Sequence, residues 1–502
     1  MYVPTVLAVL NAAAFLIVRP GVNDLWAARA RASAVSDGVG LTYWFSWFGG
    51  GSTPGNYSVL SPYLSALLTA ELVGALSAVA ITLLAAAAVR GTLHPPAATA
   101  VATLAAGINL WSGRVPFLLG CAFGVAALIG VIRQRRALIV IASVLTVLSS
   151  PVSAAFLALG LSATVLSSRT HRVSAAVAMG TIVAGLGAVA VAFGAPGPQH
   201  FSIQLCAECL AALVVFLFAR PPDHLRTVVW FSIVVALVMV LVPNGMGSNF
   251  GRMVWFCLPV AIVALSGRSV RVALLLVAPV LISGANLTIS DLRQATKPSA
   301  ATAYYRPLAD ELDEIAGLNN FRLEVVAEHA HAAYDALLNH AMLARGWETQ
   351  EDNHLNRSVR QSALDATTYK VWLDNNSVGY VALPRAKDES YPEYTLVASG
   401  LLKYLTEVWS SDDWILYKVS DPTPMVAAPQ SIIQYSQSKL TIRSKCACTF
   451  SVRIRYSKYL RGSAVTGTGA AVLADDHYGY TTMTTSAPGD YVLHGTVKSL
   501  FR

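Results

Sequence analysis

Lysine is missing from the first 296 residues, and acidic side chains are nearly so: Asp24, Asp37, Glu71, Glu208, Asp223 and Asp291 are all that precede Lys297. A soluble domain of that length carries both charges over its surface, so this stretch does not read as one. The whole chain is 55% hydrophobic and 13% charged. After Lys297 both signs return at ordinary density, so a boundary near residue 290 separates a lipid-soluble part from a water-soluble one. The net charge of +8 resides largely in arginines between apolar runs. There it sets orientation and excludes a nucleic-acid reading. A basic n-region and a small-residue cleavage site before Arg19-Pro20 are also lacking, so the first run is expected to be a retained helix.

Against a bilayer core of about 30 Å, the apolar runs predict about eleven spans. They lie near 2–19, 62–89, 96–112, 115–132, 137–150, 152–167, 173–194, 203–219, 226–242, 253–267 and 270–286. Ser149-Ser150-Pro151 divides two short ones. With the N-terminus in the cytoplasm, ten of the fifteen arginines before residue 290 fall inside, and Arg19, Arg29, Arg31, Arg114 and Arg252 fall outside. An odd count puts everything after residue 287 outside the plasma membrane. The expected fold is therefore a mainly α polytopic membrane domain over 1–290 with a C-terminal extracytoplasmic part. That part reads as an α/β domain over 291–422 and a β-sandwich-like domain over 423–502, from segments such as Arg322–Val326, Tyr369–Leu373, Gly379–Leu383 and Ser451–Tyr456.

Cysteine is scarce, six in all. Cys206-Ala207-Glu208-Cys209 has no second pair to complete a zinc site and reads as packing. Cys446 and Cys448 either close a local disulfide or stay as thiols. His329, His331, His340 and His354 follow no zinc-ligand spacing and read as surface residues, so no metal site is assigned.

The first outer loop, 19–61, is long where other connections are short, and long ordered loops usually carry function. Asn23–Ala32 favours a helix, with Trp26, Arg29 and Arg31 suited to the headgroup layer. An aromatic patch, Tyr43-Trp44-Phe45-Ser46-Trp47-Phe48, precedes the turn Gly49-Gly50-Gly51. It is either an interfacial belt or a surface that stacks sugar or lipid, with Trp47 and Tyr57 as faces.

An acidic residue just after the first span, then Trp47-Phe48-Gly49-Gly50 and Pro54-Gly55-Asn56-Tyr57-Ser58 leading into the second, resembles GT-C-fold membrane glycosyltransferases, particularly actinobacterial cell-envelope members. Gly113-Arg114-Val115-Pro116-Phe117 and Leu343-Ala344-Arg345-Gly346-Trp347-Glu348 fit the same group. The resemblance implies transfer of a sugar from a polyprenyl-phosphate donor to an envelope glycan or glycolipid on the outer face, in contact with membrane lipid. The paired Asp-Glu of protein mannosyltransferases and the Trp-Trp-Asp of oligosaccharyltransferases are absent, so those subclasses are not expected.

Such a transfer needs a carboxylate to take the acceptor proton and cations for the phosphate leaving group. Asp24 is the expected base, since the family's acidic residue follows the first span closely, and Asp37 is the alternate, though Asp37-Gly38 suits a turn. Arg114 and Arg252 follow glycines at the outer mouths of spans, where a guanidinium can fork onto phosphate or snorkel to headgroups. Asn249 and His200 would line the same cavity. Glu71, about ten residues into its span, needs a partner at that depth. Trp347 offers a stacking face and Glu348 a hydroxyl acceptor. No cofactor beyond the lipid-linked donor is called for; a divalent metal is compatible with this set but not indicated. Two other readings stand: a transporter or flippase of lipid-linked saccharide, which would show inverted repeats and broken mid-membrane helices that the sequence lacks beyond Ser149-Ser150-Pro151, or a non-catalytic glycan-binding scaffold.

Overall fold

The computed structural model describes all residues except 1, 52–53, 195–196, 327–330, 362, 388–390, 467–468 and 497–502, so His329 lies outside it. The chain divides into two compact units, Met1–Ala28 with Asn56–Ala295, and Arg29–Gly55 with Thr296–Arg502.

The first unit is helical: α1 (Tyr2–Val18), the start of α2 (Asn23–Ser36), α3 (Ser61–Leu68), α4 (Ala70–Ala88), α5 (Pro95–Trp111), α6 (Val115–Ile132), α7 (Arg136–Ser149), α8 (Pro151–Ser167), α9 (Arg172–Phe193), α10 (Ile203–Leu217) and α11 (Asp223–Leu241). Two more follow, α12 (Gly247–Leu265) and α13 (Val270–Gln294). Proline in the first turn starts α3, α5, α6 and α8, where its missing N–H costs nothing. Ser150 caps α8 through the Ser153 N–H, so the Ser-Ser-Pro break does separate two helices.

Each of the eleven expected ranges contains helix, but among the described residues six helices are long and apolar enough to cross a membrane: α4, α6, α9, α11, α12 and α13. The pair α1 and α2, bent by 72°, would make a seventh. Helices α7, α8 and α10 are apolar but short. Eleven spans are thus not established by the helices themselves. The range 62–89 is two helices, because Thr69 breaks it at φ +83° and its hydroxyl accepts the Leu72 N–H at 3.3 Å. Glu71 consequently stands in the first turn of α4, buried, and not ten residues deep in a continuous helix.

The second unit holds two sheets. The first contains β1 (Arg322–Val325), β2 (Val378–Pro384), β3 (Leu405–Ser410) and β4 (Trp414–Val419) in the order β1-β2-β4-β3. Strands β1 and β2 are parallel and the other pairs antiparallel. The helix Ala366–Asn375, capped by Asp365, presses Tyr369, Trp372 and Leu373 onto this sheet. The second sheet comprises β5 (Ser431–Ser436), β6 (Lys439–Ser444), β7 (Thr449–Arg455), β8 (Leu460–Ala464), β9 (Ala470–Asp475), β10 (Tyr480–Thr485) and β11 (Gly489–Gly495). Its order is β5-β6-β11-β8-β9-β10-β7, and its two halves meet along the short β8–β9 seam at Gly462↔Ala471 and Ser463↔Ala470. Cys446 and Cys448 are disulfide-bonded beside it.

The first loop departs most from expectation. Residues 29–55 belong to the second unit, not to the membrane domain. Tyr43 and Phe45 enter the core built by Ile442, Val452, Met483 and Tyr491. The three glycines take φ values of +77°, +82° and +105°, and a Cβ on Gly51 would stand 2.5 Å from that of Arg455. Only glycine permits both the turn and the approach. The result is a bolt onto β7: Arg455 Nε donates to Phe48 O at 2.8 Å, and Tyr43 Oη donates to Arg455 O at 2.8 Å. Arg322, fully buried, donates to the carbonyls of Gly49, Asn376 and Arg453, joining loop and both sheets. Burial pulls its pKa down to about 10.

The aromatic patch is therefore neither an interfacial belt nor a stacking surface. Trp44, Phe45, Trp47 and Phe48 are all buried. Helix α2 is not a headgroup helix either: Leu25, Trp26, Ala30 and Ala34 are buried, as is Arg31, which donates to Pro54 O.

Candidate active site in the helical unit

Helix α5 ends at Trp111, and Gly113 turns the chain at φ +72° before Arg114 caps α6. A Cβ on Gly113 would lie 2.5 Å from Leu25 N. The glycine thus lets the first turn of α2, carrying Asp24, press directly against Arg114. Arg114 Nε lies 3.6 Å from Asp24 Oδ2, and Arg252 Nη2 reaches the same oxygen at 3.4 Å. Residues over 200 positions apart in sequence therefore share one carboxylate oxygen.

The two guanidiniums are held by each other's helices. Arg252 lies over the Phe117 ring of α6 at 5.5 Å, and Arg114 over Phe256 of α12 at 5.9 Å, distances at which a cation is attracted to a ring face. Phe256 belongs to a π-helical turn, Met253–Cys257, directly after Arg252. Such turns often occur at functional sites. Asn109 accepts from Arg114 Nη1 at 3.2 Å, yet buried Nε makes no hydrogen bond among the described residues. A buried guanidinium N–H without an acceptor is costly, and an anionic oxygen placed there would remove the cost.

Sequence reasoning passed over Asp291. It lies in the last turn of α13, with Oδ2 3.9 Å from Arg114 Nη2. One turn earlier Thr288 bonds Ser112 Oγ at 2.7 Å, which fixes that face of α13 beside Arg114. The available signal was its place among six acidic residues before Lys297, just after the last apolar run.

Other expected members lie elsewhere. Asn249 donates to Gln199 at 2.8 Å, Gln199 bonds Ser248, and neighbouring His200 is exposed. Asn249 thus ties two loops together. Tyr57 is 40% exposed, four residues before the start of α3. Asp37 belongs to the second unit, where it accepts from Gln437 Nε2 at 2.6 Å and has a turn's role.

Trp47, Trp347 and Glu348 also belong to the second unit. Trp347 packs edge-on to Trp47 with centroids 4.0 Å apart, and a Cβ on Gly346 would come within 2.8 Å of Trp47. Arg345-Gly346-Trp347 is therefore a core motif rather than a glycan face. Glu348 is buried, and its pKa is pushed up to about 7 by burial first and Glu351 second, against the pull of Arg31. Buried Arg345 meets Glu324 at 2.6 Å and Glu393 at 2.7 Å, while Asp352 pairs with Arg360 at 2.7 Å. Among the described residues no group of three or more His, Cys, Asp or Glu is placed to hold a metal; His340 pairs with Asp313.

The architecture is that of a mainly helical membrane protein with an α/β and β-rich C-terminal part. No protein-family model matches the chain, and none of the curated proteins does. Solved structures similar to it include two of a mycobacterial enzyme. One is the mycobacterial arabinofuranosyltransferase AftD, at 15% identity and TM-score 0.47, covering 89% of this chain and 41% of that one. The other is a mutant of the same mycobacterial enzyme, at 12% identity and TM-score 0.47, covering 99% and 59%. The chain thus spans less than two thirds of the length of either.

Proposed function

We propose that the protein is a membrane glycosyltransferase that moves a sugar from a polyprenyl-phosphate donor to an envelope glycan or glycolipid on the outer face of the plasma membrane. The observation that carries this reading is the convergence of Arg114 and Arg252 on Asp24, with the buried Arg114 Nε 3.6 Å from that carboxylate and not hydrogen-bonded to it. Two guanidiniums suit the phosphate of a lipid-linked donor. In the transfer, the acceptor hydroxyl oxygen bonds to the anomeric carbon. The bond from that carbon to the phosphate oxygen breaks, and the phosphate leaves with the electron pair onto Arg114 and Arg252. Asp24, freed from the arginines as phosphate takes its place, accepts the hydroxyl proton. The loop motifs that resemble GT-C enzymes support the same chemistry, and the arginine census supports the outer face.

The test is transfer by the purified full chain from a polyprenyl-phosphate sugar. Asp24→Asn should lower the rate by about a hundredfold or more while membrane insertion and the unfolding temperature hold. Undiminished transfer by that variant would sink the assignment. The helix break at Thr69 argues for a second reading, a transporter of lipid-linked saccharide. Translocation of the lipid-linked sugar across vesicles without transfer would select it.

A further inference from the structure

Among the described contacts two carboxylates, Asp24 and Asp291, stand against the two guanidiniums of Arg114 and Arg252, so the positive charge offered to an entering anion is offset. A site meant only to hold phosphate would keep its positive charge. Asp24 bridges the arginines and is displaced by a phosphate oxygen. Asp291 is differently placed. It stands 3.9 Å from Arg114 Nη2, while Asn109 takes Nη1, and Thr288 anchors its helix through Ser112. The Thr288–Ser112 bond holds the helix face that carries this carboxylate beside Arg114.

We infer that Asp291 is a charge-balancing residue that weakens the hold of Arg114 on the polyprenyl phosphate left after transfer, and so lets that product go. This rests on the glycosyltransferase reading. Before transfer the phosphate is a diester with one negative charge. Once the sugar leaves it is a monoester approaching two, which the paired arginines would hold more tightly than the donor. A fixed negative charge within a few ångströms of the same guanidinium opposes the extra charge most, and so favours release over retention.

The experiment measures undecaprenyl monophosphate binding to the full chain in nanodiscs at low and high salt. Neutralising a carboxylate one residue away from the phosphate should tighten binding about tenfold at low salt, and less at high salt. Asp291→Asn should show that gain, together with a lower KM and a lower kcat for transfer; Asp291→Glu should restore wild-type behaviour. Asp223→Asn, changing an exposed carboxylate by the same charge, should leave binding unchanged. A residue that merely supports the fold would weaken binding when altered, so unchanged or weaker binding by the Asn variant overturns the inference. If that variant does not fold, Asp291→Ser makes the same neutralisation. If the wild-type chain binds no polyprenyl phosphate, the glycosyltransferase reading falls and this inference with it. Wild-type binding with no gain in the variant removes the inference alone.

Discussion

Glu348 is the residue whose surroundings speak most directly to solution behaviour. Burial lifts its pKa from an ordinary 4.5 to about 7, so the folded second unit prefers the protonated acid. A group raised on folding stabilises fully below its unfolded value, and that contribution is lost as pH rises through the folded one. The loss amounts to at most ~3 kcal/mol, from about 1.4 kcal/mol per pH unit of displacement. Thermal unfolding of the full chain between pH 5 and pH 8.5 should therefore show a fall that Glu348→Gln flattens. A wild-type profile parallel to that of the variant would show that Glu348 does not titrate there. Glu324 shifts in the same direction: it is fully buried, pushed up by burial and by Glu393 against the pull of Arg345.

At the level of elements, the loop that looked most like a binding surface is a building part. Trp47 stacks on Trp44 with centroids 5.0 Å apart and receives the edge of Trp347. Replacing it with alanine should open a cavity costing about 3–5 kcal/mol. Thermal unfolding and protease resistance of the second unit should both drop; a Trp47→Ala chain with unchanged unfolding and a raised KM would restore the sugar-stacking role. Sequence alone could not separate these roles, because an aromatic run followed by glycines reads alike as a belt, a sugar platform or a core plug. What decides is the partner, and Trp347 and Tyr491 lie some 300 and 450 positions away. The helical segments were legible because an apolar run needs no distant partner to declare itself. The Thr69 break was not, since threonine at positive φ leaves no pattern. Asp24, Arg114 and Arg252 could be listed from charge scarcity and glycine neighbours. That they share one oxygen follows from the close approach of Gly113 to Leu25, which is tertiary.

For the molecule as a whole, the arginine distribution makes a claim about sidedness that can be checked directly. If the residues after 287 lie outside, a cysteine at exposed Lys439 should react with a membrane-impermeant thiol reagent on intact cells. Reaction only after lysis would reverse the topology, and with it the side on which any sugar is transferred.

The bolt between the glycine turn and Arg455 also bears on how the chain matures. The Gly49 carbonyl that Arg322 holds is made some 400 residues before Met425, Arg453 and Tyr491 of the same unit. Contacts of such separation form late, after their loop-closure cost has been met. Until β11 is in place, the core that Tyr43 and Phe45 enter is incomplete. During synthesis that segment is a bare hydrophobic strand waiting on translation, and its protection in that interval has to come from the membrane surface or a chaperone rather than from its own fold.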